Sequence, residues 1–363
     1  MPTDTTQEQE QRFGAAFVIL RNAIATHVFP GCSVAVTERG KLVAWKGLGR
    51  FVYEPTSPEI TRETIFDLAS VTKVVATTAM AMVLYERGIL DLDMPVTSAV
   101  PEFGGEDERR TDVTLRMLLA HSSGLPAYDK LFLRAKLREE LLRASFEAPL
   151  EAEPGSRALY SDIGFIVLGV ALERLADESL DAFCKREIFG PLGMSHTTFN
   201  PAPAWRAEIP PTVDDRAFRN RIIQGEVNDE NASVMGGIAG HAGLFASAYD
   251  VALFAQAMLN GGSPILRPET VALFTRREQS PPQTSRALGW DTPSHPSQSG
   301  KFFSSSSFGH LGYTGSSLWI DPERQLSITL LTNRTWPDSS NQGIKHVRPQ
   351  FHDAIVEAIK ETP

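Results

Sequence analysis

The sequence predicts an α+β fold: an antiparallel sheet built from both chain termini, flanked by helices, with a mainly helical segment inserted. Three observations predict it. Short β-branched runs lie near both ends of the chain, at residues 32–37 and 42–45 and again at 316–320 and 326–332. Amphipathic stretches stand outside them, at 13–27 and 344–359. The middle of the chain carries helical periodicity broken by Gly and Pro turns. The expected division is 1–75 with 245–363 for the sheet-bearing part and 76–244 for the helical part, with the active site between them.

The elements follow in order. Phe13, Phe17, Leu20 and Ile24 fall on one helical face. Residues 32–37 and 42–45 form a hairpin across Glu38-Arg39-Gly40-Lys41. Residues 74–84 are apolar and free of Gly and Pro, so a buried helix begins near Ser70. Gly88 to Pro95 ends it. A short helix over 114–121 stops at Ser122-Ser123-Gly124-Leu125-Pro126. A charged amphipathic helix is expected over 131–144, an apolar one over 163–175 and a short one over 182–189. Residues 201–211 hold four prolines and read as an extended surface loop, and 225–232 as a polar loop. In 235–245 glycines are interleaved with apolar residues, which indicates close backbone approach. A helix follows at 249–259 and a serine-rich, irregular, mobile loop at 294–307. The strands 316–320 and 326–332 pair across Asp321-Pro322-Glu323-Arg324, before the last helix.

Composition narrows the function. The chain has 363 residues and a net charge of -9, from 35 Lys+Arg against 44 Asp+Glu. No basic cluster stands out, so nucleic acid is not an expected partner. Neither a dinucleotide fingerprint nor a Walker sequence occurs. Cys32 and Cys184 lack metal-ligand spacing and read as buried thiols. His346 and His352 do not share a helix face, so no metal and no cofactor are expected. Residues 1–12 are acidic and polar, unlike a signal peptide. No apolar run reaches the ~18 residues of a membrane span. The expectation is a cytoplasmic protein with no membrane partner.

The chemistry centres on Ser70-Val71-Thr72-Lys73. Residues three apart on a helix share a face, so the Lys73 amine can lie beside the Ser70 hydroxyl. Alone, the pair also fits a capping serine beside a solvated lysine. Two later segments add to it: Tyr160-Ser161-Asp162, which opens a helix after the turn Pro154-Gly155-Ser156, and His310-Leu311-Gly312 before a strand. His121 and His241 lie in glycine-bearing turns and read as structural hydrogen-bonders. Asp229 and Glu230 are adjacent, so their carboxylates point apart and do not form a glycosidase pair. No Gly-x-Ser-x-Gly elbow occurs.

With Phe29-Pro30-Gly31 and Leu118-Leu119-Ala120-His121-Ser122-Ser123-Gly124-Leu125-Pro126, these motifs carry a resemblance over about residues 29–337. The sequence resembles the penicillin-recognising serine hydrolases: class C β-lactamases, D-alanyl-D-alanine carboxypeptidases and family VIII esterases. The resemblance implies a β-lactamase-like fold and a covalent acyl-enzyme on Ser70. Lys73 and Tyr160 are the candidate bases, and the residues alone do not choose between them for acylation. For hydrolysis of the acyl-enzyme, Tyr160 is favoured. The implied oxyanion hole is the backbone N–H of Ser70 and of Tyr313. The implied substrate-binding residues are Asp162, His310, Gly312, Asn333 and Arg334.

The chain departs from the family's pattern at two places. His310 and Leu311 stand where β-lactamases and peptidases usually have Lys and Thr. Asp162 stands where they have Asn. Both changes remove groups that hold a carboxylate-bearing amide, so the expected activity is a carboxylesterase on short-acyl esters. The alternatives are a β-lactamase or D-alanyl peptidase and, outside enzymes, an inactive peptide-binding or assembly protein. The expected partner is a small-molecule ester or amide. His310 is expected to face substrate and to change charge between about pH 5 and 8.

Overall fold

The computed structural model describes residues 5–360, so the ends of both terminal segments, 1–4 and 361–363, lie outside the described residues. Ten strands occur among them: β1 (Gly31–Glu38), β2 (Lys41–Gly49), β3 (Ile65–Asp67), β4 (Thr198–Phe199), β5 (Val213–Asp215), β6 (Arg221–Ile223), β7 (Leu244–Ser247), β8 (Phe308–Leu311), β9 (Ser317–Asp321) and β10 (Leu326–Thr332). The main sheet has the order β2-β1-β10-β9-β8 and is antiparallel throughout. Its strands therefore come from the two ends of the chain, and β1 pairs with β10 from Cys32↔Thr332 to Glu38↔Leu326. The β1–β2 turn places Arg39 and Gly40 at φ of 47° and 77°, the left-handed pair that matches a tight hairpin's twist.

Helices cover both faces of this sheet, so its strands are apolar on both sides. Alternation sorts them. Cys32, Val34 and Val36 face the terminal helices Thr6–Ala25 and Ile344–Lys360, packing with Phe13, Phe17, Leu20, Phe351 and Ile355. Ala35, Leu318, Ile320 and Leu331 face the other way, into the large core shared with the helical part of the chain. Burying each large aliphatic or aromatic side chain contributes roughly 1.5–3 kcal/mol. Within that core runs the segment after Ser70. It begins as one 3-10 turn, Ala69–Val71, passes through the π-helical Lys73–Thr78 and becomes α-helical over Ala79–Glu86.

A second, small sheet of order β3-β7-β4 lies across the boundaries expected near 75 and 245. Several loops differ from expectation. Residues 131–144 are not one helix: Leu131–Leu133 is a 3-10 turn and the helix proper is Arg138–Phe146. The Phe132 N–H donates to Asn231 Oδ1 at 3.0 Å, so tertiary contact rather than periodicity fixes that backbone. Pro203–Arg206 is a short helix inside the loop expected at 201–211, and the short helix Glu230–Val234 begins inside the one expected at 225–232. Residues 294–307 are irregular as expected, yet Ser304 is buried and donates to Asp321 Oδ1 at 2.7 Å. Among the described residues no helix is long and apolar enough to cross a membrane.

The glycine-rich stretch makes the close approach that its composition indicates. A Cβ on Gly240 would lie 2.9 Å from Gly169 Cα, on the Asp162–Ala176 helix, and nearer still to the Phe165 carbonyl oxygen. The Gly240 carbonyl also accepts from Thr77 Oγ1 at 2.7 Å. Gly240→Ala should therefore destabilise by about 1–3 kcal/mol, the usual effect of overpacking. Chemical denaturation of the two proteins checks this, and an unchanged midpoint would contradict the contact.

Candidate active site

A cavity of about 780 Å³ opens where the segment after β3, the start of the Asp162–Ala176 helix, the end of β8 and the start of the Ile344–Lys360 helix converge. Ser70, Tyr160, Asp162, His310, Gly312, Tyr313 and Arg334 all line it. Lys73 lies behind Ser70 and is fully buried.

Lys73 Nζ donates to Ser70 Oγ at 3.1 Å, to Asp162 Oδ1 at 2.6 Å and to the His241 carbonyl at 3.0 Å. These three acceptors match the three N–H bonds of an ammonium. Removing one proton leaves two N–H groups for Asp162 and His241 and turns the lone pair toward Ser70. Burial lowers the Lys73 pKa, while Asp162 works in the opposite direction. The Tyr160 hydroxyl is under the influence of Ser70 and Asp162, and its ring lies 4.9 Å from Lys73 Nζ. Burial first and Asp162 second push the phenol well above its ordinary pKa. The resting phenol is therefore protonated.

Local sequence explains these positions. Ser161 caps the helix that Asp162 opens, accepting from the Gly164 N–H at 2.9 Å and donating to the Pro126 carbonyl at 2.6 Å. His121 Nδ1 accepts from the Ser161 N–H at 3.0 Å, and the His121 ring packs on Tyr160 at 4.7 Å. His121 is thus a structural support of the tyrosine. His241 is held through Nε2 by Asp229 at 2.9 Å, and it serves Lys73 through its backbone oxygen.

The β8 end comes close to the turn before Ser70. A Cβ on Gly312 would stand 2.5 Å from the Leu68 carbonyl oxygen, so a side chain there would push the two apart. The Gly312 N–H is engaged by the Ser316 carbonyl at 2.7 Å, which leaves the next amide, Tyr313, as the strand's donor at the cavity wall. Arg334 holds the other side of the same residue: its Nε donates to the Tyr313 carbonyl, in the following peptide, at 2.7 Å and its Cζ lies 4.5 Å from the centre of the Tyr313 ring.

Four expectations need correction. Asp162 lines the cavity but is engaged as the partner of Lys73, so its first task is to hold the lysine rather than substrate. Asn333 is buried and does not line the cavity; its amide donates to the Phe51 and Pro211 carbonyls at 2.7 and 3.0 Å. Arg334 donates mainly to backbone carbonyls, those of Tyr313, Ser339 and Asn341, and only its Nη2 remains for a ligand. His310 is not a cation near neutral pH. Burial, then Lys73 and Arg286, hold its pKa well below the ordinary value. Its Nδ1–H donates to the Leu311 carbonyl at 2.8 Å, which leaves Nε2 as an acceptor.

The fixed cation in this corner is Arg286, which sequence reasoning missed. It lines the cavity with its Cζ 5.4 Å from the Tyr160 ring centre and its nearest carboxylate, Asp291, at 3.6 Å. Nothing in Ser285-Arg286-Ala287 distinguishes it from a surface arginine. The role of His241 was also hidden, because a backbone oxygen leaves no mark on residue type.

Comparison with known proteins bears on family and fold. A family model described as Beta-lactamase matches residues 17–349. A protein of Salmonella agona (strain SL483) that carries the name D-alanyl-D-alanine carboxypeptidase is 33% identical over 307 residues, covering 76% of this chain and 70% of that protein. Among solved structures, EstCE1, a hydrolase with promiscuous acyltransferase activity, superposes with a TM-score of 0.78 at 24% identity, covering 95% of this chain and 99% of that one. The octameric penicillin-binding protein homologue from Pyrococcus abyssi gives 0.73 at 22% identity, covering 95% and 77%. These two likenesses are of fold.

The buried imidazoles predict a pH dependence of stability. His352 is fully buried between Ser317 and the Gln298 carbonyl, and burial pulls its pKa down to about 3. The unfolded chain takes up the proton near pH 6.5 and the folded one does not, so stability is lost as pH falls from about 6.5 toward 3. The loss approaches ~1.4 kcal/mol per pH unit for one such group. His352→Gln should flatten that slope by about one proton. Denaturant unfolding of both proteins at pH 7, 6 and 5 measures it; parallel slopes would show that His352 does not contribute.

Proposed function

The chain belongs to the Beta-lactamase family and is a serine hydrolase of the β-lactamase and penicillin-binding-protein superfamily, and from that premise we propose that it is a carboxylesterase working through an acyl-enzyme on Ser70. The observation that carries the mechanism is the contact of Lys73 with Ser70, Asp162 and the His241 carbonyl. A neutral Lys73 takes the Ser70 proton as Oγ attacks the ester carbonyl. Asp162 and His241 then hold the ammonium that forms. The carbonyl oxygen gathers charge between the Ser70 and Tyr313 N–H groups. Tyr160, protonated and lining the same cavity as Ser70, gives its proton to the leaving alkoxide and is reprotonated from Lys73. Water then replaces the alcohol and the same relay runs in reverse, releasing the acid and restoring Ser70.

Ester rather than β-lactam chemistry is favoured by the neutral His310 and by Leu311, which offers no hydroxyl. A second reading rests on Arg286 and on the free Nη2 of Arg334. These two groups, with Lys130, Lys345 and Arg348 also on the cavity wall, suit a substrate ending in carboxylate, the class to which the name of the Salmonella relative points.

Two experiments test the reading. Ser70→Ala should lose ester turnover and the acyl adduct seen by mass spectrometry. Lys73→Ala and Tyr160→Phe should each slow acylation by roughly 10²–10⁴, and together by less than the product, because the groups act as a unit. Wild-type rates in both single variants would place the base elsewhere. Second, kcat/KM for a p-nitrophenyl butyrate ester should exceed that for nitrocefin and for D-alanyl-D-alanine peptides by at least about 10²-fold, a modest binding discrimination of ~2.7 kcal/mol. Faster peptide cleavage would favour the second reading, and faster nitrocefin cleavage a β-lactamase.

A further inference from the structure

We propose that Asp67 is a positioning residue that sets the oxyanion hole and ties it to the wall that holds Lys73. The inference rests on the reading of Ser70 and Tyr313 given above. Asp67 is the last residue of β3, only 1% exposed, and does not line the cavity. Its carboxylate makes no ion pair among the described residues; it accepts two backbone N–H groups instead. Oδ1 receives the Ala69 N–H at 2.8 Å and Oδ2 the Asn228 N–H at 2.6 Å. Its own carbonyl receives the Thr314 hydroxyl at 2.8 Å.

Each partner is the immediate neighbour of a group that the mechanism uses. Ala69 precedes Ser70 and sits at φ 46°, a left-handed conformation that a residue with a Cβ adopts only when its surroundings hold it there. The bond to Asp67 supplies part of that hold. Thr314 follows Tyr313, so one residue anchors the neighbours of both oxyanion donors. Asn228 precedes Asp229, which holds His241, whose carbonyl receives Lys73. The Asn228 carbonyl is itself gripped by Arg219 at 2.8 Å, and Arg219 is paired with Asp215 at 2.6 Å. Arg219 also donates to the Val227 carbonyl at 2.7 Å, so the peptide that carries the Asn228 N–H is held at both its N–H and its C=O, and a change at Asp67 has few routes of relaxation.

The charged groups that act on Asp67 are Asp229, unfavourably, and Arg219, favourably. Burial outweighs them and pushes its pKa up to about 6. The surroundings thus disfavour the ionised form, and the carboxylate is not present as a stabilising ion pair. What it supplies is two acceptor oxygens aimed in different directions. An asparagine has one oxygen and an NH₂ group, and that NH₂ would face one of the two N–H donors.

The test compares wild type, Asp67→Asn and Thr314→Val as full-length chains. The measurements are kcat and KM on p-nitrophenyl butyrate at pH 8, the thermal midpoint, and the rate at which a fluorophosphonate labels Ser70. The phosphonyl oxygen occupies the oxyanion hole, so labelling reads the same donors. Asp67→Asn should lower kcat by about 10–100-fold with KM within about 3-fold, below the 10²–10³ seen for removing an oxyanion donor outright. The labelling rate should fall in step. Thr314→Val, which removes the hydroxyl's bonds to the Asp67 main-chain carbonyl and to Ser316 Oγ, should lower both by about 3–10-fold; if Asp67→Asn does not fold, Asp67→Glu, which keeps two acceptor oxygens but displaces them, decides the role of the side chain and should lower both by about 10-fold. Wild-type kcat and labelling in the folded variants, or a raised KM with kcat unchanged, would overturn the role of Asp67. If wild type is labelled somewhere other than Ser70, the proposed function itself fails.

Discussion

A buried amine with three acceptors is the constraint on which the rest of this structure depends. Lys73 is fully enclosed, and an ammonium there without partners would cost several kcal/mol. Its acceptors come from three distant parts of the chain: Ser70 on its own turn, Asp162 at a helix start and the His241 carbonyl in the glycine-rich stretch. They meet only because the segments carrying them touch. Gly169 and Gly240 permit one contact, and the Thr77 bond to the Gly240 carbonyl fixes another. Core packing and catalytic geometry are here a single requirement, and glycine is found where the backbones must approach.

The same charges divide the work between the two titrating groups. Asp162 bonds Lys73 and stabilises it as a cation, and its charge disfavours Tyr160 as an anion. Burial acts on both toward the neutral form. The outcome is a protonated phenol beside an amine whose proton is held less tightly than usual. One proton can then move among Ser70, Lys73 and Tyr160 without a charge being created far from its partner. A tyrosinate base would need an anion to form in a buried position already flanked by the Asp162 carboxylate.

Much of this could be read from the sequence because it follows from local periodicity. The strand pairs at 32–45 and 316–332, the terminal helices and the helix after Ser161 each carry their own pattern. Ser70, Lys73 and Tyr160 were legible because their motifs occur in order. The misreadings have a common cause: tertiary contacts decide what a residue type leaves open. Leu131 and Phe132 read as part of a helix until Asn231 takes the Phe132 N–H. Asn333 looks like a ligand but ties Phe51 to Pro211. Asp162 looked like a substrate contact because the sequence did not show that Lys73 would reach it. The 3-10 and π turns around Ser70 are set by packing, which no propensity encodes.

Position 310 shows how the site limits its own chemistry. Lys73 is close enough to depress the His310 pKa, and Arg286 adds to the effect. A second permanent cation at 310 would therefore stand against Lys73 and Arg286 in a region of low polarisability, where like charges repel strongly. The neutral imidazole avoids that conflict. With Nδ1–H on the Leu311 carbonyl, its buried Nε2 is left as an unpartnered acceptor and not as a charged donor. A fixed positive charge stands instead at Arg286, whose Cζ lies 5.4 Å from the Tyr160 ring centre. An anion drawn to Arg286 would sit beside the phenol and further disfavour its ionisation. Under the proposed esterase reading, a neutral acyl ester would leave that proton relay undisturbed.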